Sequence, residues 1–253
     1  MILEARDLAI GYRNRVVGRG LEVALGSGEV RALLGPNGGG KTTLLKTLLG
    51  LIPPLGGEVR IAGQALSRLS VQERARLIAY VPQVHAGAFA FMVEDLVLMG
   101  RSAHADLLSQ PSARDRQAAM EMIARLGISH LAQRPYTMIS GGERQLVLIA
   151  RALAQEPRIV VFDEPTASLD FGNQGKVMRE IRALAEAGLG VIFSTHDPNH
   201  AMRYADQAML IRDGTCMANG PCREVLTRQM LELLYQARVE TIESDAARVF
   251  LPS

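Results

Sequence analysis

The sequence contains no tryptophan, and aromatic residues make up only 4% of its 253 positions. So thin an aromatic content argues against a base-stacking surface for single-stranded nucleic acid. Cysteine occurs twice, as Cys216 and Cys222 near the C-terminus. A pair so spaced, with no neighbouring histidine, has no metal-site pattern and reads as two reduced thiols. Charge of neither sign prevails: 28 Lys and Arg face 26 Asp and Glu, a formal net charge of +2. With no dense basic run, nucleic acid is not expected as a partner. No apolar run approaches the ~20 residues that cross a bilayer. The opening MILEARDL is charged early and holds no signal-peptide core. A soluble, cytoplasmic protein is therefore expected. What is abundant is apolar residues, 48% of the chain. They suffice for one large domain, or for a core with a smaller lobe.

The stretch GPNGGGKTT fits the pattern G-x-x-x-x-G-K-[ST]. It comprises Gly35, Pro36, Asn37, Gly38, Gly39, Gly40, Lys41, Thr42 and Thr43. Val30 to Leu34 before it is a short apolar run, which predicts a buried strand. Lys41 to Leu51 after it carries Leu44, Leu45, Leu48 and Leu49 on one helical face. Strand, glycine loop and helix in that order predict a phosphate site. Glycines let the backbone wrap a phosphate chain with several N–H groups pointing inward. The helix N-terminus adds about half a positive charge behind them. Lys41 is placed to reach the β- and γ-phosphates, and the Thr42 hydroxyl to ligate Mg²⁺.

Elsewhere the chain alternates. Met1 to Glu29 reads as short antiparallel strands broken at its glycines, with Tyr12 in a turn between two of them. A tyrosine beside a strand is more often packing than ligand contact. Glu58 to Ala62 reads as a strand, Val71 to Leu77 as a helix, and Ile78 to Val81 as a strand ending at Pro82-Gln83. A loop is expected over Val84 to Phe91. Helical patterns then dominate from Val93 to Ala154, broken by a polar connection over Ser102 to Ser112. This block predicts a helical lobe, roughly 86–157, inserted in the core. Alternation resumes with a buried strand at Ile159 to Phe162, a helix over Gln174 to Ala187, a strand over Val191 to Ser194 and a helix over Pro198 to Tyr204. Ala208 to Ile211 is a strand turning at Asp213-Gly214. Thr227 caps a helix through Leu234, and Val239 to Leu251 forms a small hairpin.

Asp163 and Glu164 follow the IVVF strand. Ligands of open α/β sheets gather beyond the carboxyl ends of strands, so both acids are expected at the phosphate site. Asp163 can hold Mg²⁺ through water, and Glu164 can accept a proton from an attacking water. Ser140-Gly141-Gly142-Glu143 precedes a helix running to Ala154. It fits a capping box, and equally an anion site at an open helix N-terminus; the two are compatible. His104 has no second ligand near it in sequence and reads as an exposed helix-end histidine.

The order phosphate loop, Tyr80-Val-Pro-Gln83, Ile139-Ser-Gly-Gly-Glu-Arg-Gln145, Val161-Phe-Asp-Glu-Pro165, Ser168-Leu-Asp170 and Ser194-Thr-His196-Asp197 resembles the ATPase subunit of ABC transporters over nearly the whole chain. The resemblance implies a single P-loop α/β domain, 1–253, with a small antiparallel β lobe and the inserted helical lobe. It implies that Tyr12 stacks on adenine. Gln83 senses the γ-phosphate, contacts Mg²⁺ and links to the membrane subunits. Ser140, Gly141 and Gly142 contact ATP held by the other subunit, and Asp170 crosses the dimer interface. His196 holds the γ-phosphate and the attacking water. ATP and Mg²⁺ are the implied cofactors. The implied partners are a second copy, two membrane permease subunits and, indirectly, a periplasmic or extracellular binding protein. The implied place is the cytoplasmic side of the inner membrane. Departures are few: Ile139 and Glu143 stand where the family usually has Leu and Gln, Gly39 where it has Ala or Cys, and Thr42 where it has Ser. Each chemical position is filled. The Met99-Gly-Arg-Ser-Ala-His104 stretch, the polar insert after it and the Leu169-Asp-Phe-Gly-Asn-Gln174 run resemble importers of iron-siderophores, haem, cobalamin and, in one branch, molybdate; VLMGRSAH (97–104) and RQLVLIARA (144–152) resemble the molybdate/tungstate branch most closely. The alternative is a soluble ABC ATPase acting on nucleic acid or ribosomes. Such proteins usually need a second cassette or a long coiled coil, and this sequence has neither.

Overall fold

The computed structural model describes residues 1–83, 91–104, 110–167, 169–244 and 248–253. The chain divides into two compact units, Met1–Arg68 with Met178–Ser253, and Leu69–Val177. The first unit opens with β1 (Leu3–Tyr12), β2 (Arg15–Leu25), β3 (Val30–Leu34), α1 (Lys41–Leu48), β4 (Gly56–Ile61) and β5 (Gln64–Ala65). The second holds α2 (Val71–Leu77), β6 (Ile78–Val81), α3 (Val93–Leu98), α4 (Ala113–Arg125), α5 (Gly141–Leu153) and β7 (Ile159–Phe162). The division falls inside α6 (Phe171–Glu186). The chain then completes the first unit with β8 (Gly190–Thr195), α7 (Pro198–Tyr204), β9 (Gln207–Arg212), β10 (Thr215–Pro221), α8 (Cys222–Val225), α9 (Arg228–Tyr235), β11 (Val239–Glu243) and β12 (Arg248–Pro252).

The first unit contains an antiparallel sheet in the order β2-β1-β4-β5, the expected β lobe. Its two long strands are not broken at every glycine, as the sequence suggested. They bend instead. Leu3, Ala5, Leu8 and Ile10 of β1 are buried, and the phase changes at Asp7, whose φ is +45°. That bulge shifts the register against β2 between Ala5 and Leu8, so both halves of the strand present apolar residues to the core. The other sheet strands of this unit run β10-β9-β3-β8, with β3 parallel to both β8 and β9. Strand β3 is buried at every position, as its continuous apolar run predicts. The exception in chemistry, Arg31, bonds Asn219 Oδ1 at 2.6 Å and Glu29 at 3.3 Å. Burial pulls its pKa below the ordinary guanidinium value. Strand β10 pairs antiparallel with β9 and was not foreseen. Cys216 and Cys222 are both free; burial raises both thiol pKa values, Cys222 to about 12.

The second unit pairs β6 with β7 in parallel. A separate apolar cluster gathers Val93, Val97, Ile123, Leu131, Val147 and Ala150 from its helices. Capping boxes close α2 (Ser70 with Glu73), α4 (Ser112 with Asp115) and α5 (Ser140 with Glu143). Hydrogen bonds from Ser112, with help from Arg101, hold the Asp115 carboxyl down at about 2. His104 is not the exposed residue expected: it is half-buried, and its Nε2 lies 2.8 Å from the Gln155 carbonyl. Among the described residues no cluster of three metal-binding side chains exists, and no helix is long and apolar enough to cross a membrane. The loop expected over Val84 to Phe91 lies outside the described residues except for Phe91, as do residues 105–109 of the Ser102 to Ser112 connection.

The β9–β10 turn meets β2 and the glycine loop at backbone distance. A Cβ on Gly214, whose φ is +73°, would lie 1.6 Å from the Val17 carbonyl oxygen, and Gly214 N–H donates to Gly39 O at 3.1 Å. Gly214→Ala should therefore cost about 2–4 kcal/mol, by backbone strain and overpacking together. A denaturation midpoint equal to the parent's would show that the turn can relax away from β2.

Candidate functional site

In the first unit the glycine loop leaves β3 and closes on α1, as the sequence predicts. A Cβ on Gly35 would sit 2.0 Å from the Ile211 carbonyl oxygen, so only glycine lets the loop pass the end of β9. Gly38 and Gly40 have φ of +81° and +105°, the left-handed region that side chains resist. Gly40 occupies the N-cap position of α1, where no side chain closes the helix. The first N–H groups of α1 thus face the loop without a competing cap, the arrangement that receives an anion. Lys41 is buried, and its Nζ donates to the carbonyls of Gly35 at 2.7 Å and Pro36 at 3.1 Å. This folds the ammonium back over the loop. Thr42 is exposed and Thr43 half-buried at the first turn.

Leu34 and Thr195 are register partners, so Gly35 and His196 leave adjacent strand ends. His196 is exposed, and its carbonyl accepts a hydrogen bond from Tyr235 Oη at 2.9 Å. Asp197 caps α7 by accepting from Asn199 N at 2.8 Å. Tyr12 lies in the other sheet of this unit, at the end of β1, with half its surface exposed. Its hairpin approaches the loop through Val17, whose Cγ1 would be 3.2 Å from a Cβ on Gly40.

In the second unit Val81 and Phe162 are register partners, so Gln83 and the Asp163-Glu164 pair also leave adjacent strand ends. Asp163 is buried, and its Oδ2 accepts from Tyr80 Oη at 3.3 Å. Burial, then the Asp163 charge, raises the Tyr80 phenol well above its ordinary value, so it remains a donor. Sequence reasoning missed Tyr80 as a partner; its place three residues before Gln83 was the available signal. Glu164 has φ of +47°. A non-glycine residue held there stores about 1–3 kcal/mol of strain, which recurs at functional sites. Gln83, Gly141, Gln145, Glu164, Pro165 and Ala167 line one small pocket, so the structure gathers residues from three of the motifs.

Ser140 takes the cap position of α5. Its hydroxyl accepts from Glu143 N at 3.3 Å, and Glu143 Oε2 accepts from Ser140 N at 2.7 Å. Glu143 therefore points back into the cap, and those bonds lower its pKa. Asp170 is exposed at the start of α6; its carboxylate accepts from Asn173 N at 2.9 Å and Nδ2 at 2.7 Å, the first of these most lowering its pKa. Asn173 also underlies α5: a Cβ on Gly142 would lie 2.5 Å from Asn173 Cγ. The Ser140 turn and the Asp170 turn are thus joined through one side chain. Ser168 lies outside the described residues.

The ABC transporter family model matches residues 19–167. A hemin import ATP-binding protein of Gloeobacter violaceus is 45% identical over 235 residues, covering 88% of this chain and 85% of the relative. A molybdate import ATP-binding protein of Haemophilus influenzae is 38% identical over 216 residues, covering 85% and 80%. A chain from a solved structure of a metal-chelate type ABC transporter in an inward-facing conformation superposes with a TM-score of 0.88 at 34% identity, over 100% of this chain and 97% of that one. The phosphate loop, the paired acids and the capped glycine turn found here are accordingly those of a relative of these proteins, and the chain belongs to the ATP-binding subunits of the ABC transporter family.

Proposed function

We propose that this ATPase subunit powers uptake of a metal chelate of the iron-siderophore, haem or cobalamin class, with molybdate or tungstate as the second cargo class. The observation that carries nucleotide chemistry is the glycine-wrapped, uncapped N-terminus of α1 with the Lys41 ammonium folded over it. The 45% identity to a hemin importer's subunit favours the chelate reading over the oxyanion, matched at 38%.

In this reading the Lys41 ammonium and the backbone N–H groups of residues 35–43, Pro36 excepted, hold the triphosphate, and Tyr12 stacks on adenine. Glu164 takes a proton from the attacking water, while His196 and Gln83 orient that water and the γ-phosphate. Thr42, Gln83 and Asp163 offer hydroxyl, amide and carboxylate oxygens, the hard donors Mg²⁺ takes, so this set fits that ion. Bound there, Mg²⁺ would neutralise charge on the phosphates. Ser140, Gly141, Gly142 and Asp170 belong to the face that a second copy presents to ATP, so the working form is a homodimer. Residues 1–253 act as one ABC ATPase domain; the buried cluster from Val93 to Ala154 supports a helical lobe of roughly 86–157. Two permease subunits hold the dimer at the cytoplasmic side of the inner membrane, and a binding protein outside delivers the cargo.

Lys41→Ala should weaken both ATP affinity and turnover, because it removes the cation from the loop; a nucleotide titration indistinguishable from the parent's would sink the phosphate-site assignment. Glu164→Gln keeps the shape of its site and loses proton acceptance. Single-turnover hydrolysis should fall ~10²–10⁴-fold with binding retained, whereas near-parental hydrolysis would remove Glu164 from the mechanism. Co-expressed with its permease, the protein should move to the membrane fraction. Strong stimulation of its ATPase by RNA or DNA, without that recruitment, would favour the soluble alternative.

A further inference from the structure

Gly142, Gln145, Ile149 and Ala152 are buried along one stripe of α5. Three of the four are small or apolar. Gln145 is 1% exposed, and its Nε2 has no hydrogen-bond partner among the described residues. A buried donor left unpaired costs about 1–3 kcal/mol, and leucine or methionine would fill the same volume without that cost. Folding alone gives no reason for the amide.

The surroundings supply one. Gln145 lines the small pocket it shares with Gln83, Glu164, Pro165 and Ala167, and Glu164 is the one carboxylate among the residues lining it. Glu164 also carries the strained backbone, φ +47°. That strain fixes where its side chain starts, yet three rotatable bonds still separate the backbone from the carboxylate. A general base must present its oxygen within hydrogen-bond reach of the water it activates. A second contact on the carboxylate narrows that choice. A neutral amide suits this role, because an ammonium or guanidinium would stabilise the charged form strongly and make the carboxylate a poorer base.

We infer that Gln145 is a positioning residue for Glu164: while ATP is hydrolysed, its Nε2 donates to one oxygen of the Glu164 carboxylate and leaves the other for the attacking water. The inference rests on the reading of Glu164 as the proton acceptor. Gln145 touches neither nucleotide nor water; it acts through Glu164 alone.

The test uses the full chain, ATP·Mg²⁺ as ligand, and three readouts: single-turnover hydrolysis, ATP affinity and melting temperature. Gln145→Met keeps volume and removes the donor. It should slow hydrolysis about 10–100-fold, the cost of a mispositioned group, with ATP affinity within about threefold of the parent. Its melting temperature should equal or exceed the parent's, because an unpaired buried amide has been removed. A packing role predicts the reverse, parental turnover with altered stability. Gln145→Glu, which also lacks the donor, should be at least as slow as the methionine variant, and parental turnover by either overturns the inference. The double variant with Glu164→Gln separates the causes. If Gln145 works through Glu164, adding Gln145→Met to Glu164→Gln slows hydrolysis no further. An undiminished, multiplied loss in that background overturns the inference while leaving Glu164 in its role. Parental hydrolysis by Glu164→Gln alone overturns the reading of Glu164, and this inference with it.

Discussion

The structure depends on backbone passing backbone with no room between. A helix N-terminus can receive an anion when no side-chain cap has taken its first N–H groups. Serine and acid side chains close α2, α4 and α5, while the first turn of α1 ends in a left-handed glycine. That glycine and its neighbours are held by the Ile211 carbonyl on one side and the Gly214 turn on the other. The turn in turn presses on β2 at Val17. Loop, β9–β10 turn and β2 therefore share one packing constraint, and residues nearly two hundred positions apart in sequence determine the shape of a nine-residue motif.

Much of the fold is legible because its elements obey one period at a time. Val71 to Leu77, Ile78 to Val81 and Pro198 to Tyr204 coincide with α2, β6 and α7 as observed. Misses have local causes. Strand β10 contains Asn219, Gly220 and Pro221 and is mostly half-exposed, so it reads as a turn; pairing with β9 overrides that composition. Helix α6 begins at Phe171 rather than Gln174, because the Asp170 carboxylate receives the Asn173 N–H and starts the helix early. In β1 a left-handed Asp7 resets the alternation, which no period-two reading can represent.

The site divides in the same way. Spacing pointed to the residues proposed for phosphate chemistry, since Gly35 to Thr43 and Asp163-Glu164 are short runs recognised by their order. It was silent on what the fold adds. The Tyr80 hydroxyl on Asp163, the positive φ of Glu164 and the orphaned amide of Gln145 depend on which strand lies beside which and on how deep a helix face is buried. His104 shows the same limit from the other direction: its ring is spent on the Gln155 carbonyl, a partner far away in sequence.

Asn173 links two turns that function would otherwise treat as separate. Its amide and backbone grip Asp170, and its Cγ fills the space where Gly142 has no side chain. Close-packed contacts of this kind transmit displacement rather than absorb it. The two turns fit as meshed gear teeth, the notch at Gly142 seated on Asn173 and Asn173 bound in turn to the Asp170 carboxylate. A glycine usually admired for what it lets in serves here as the notch that engages its neighbour. The residue with no side chain is the one at which the two turns touch.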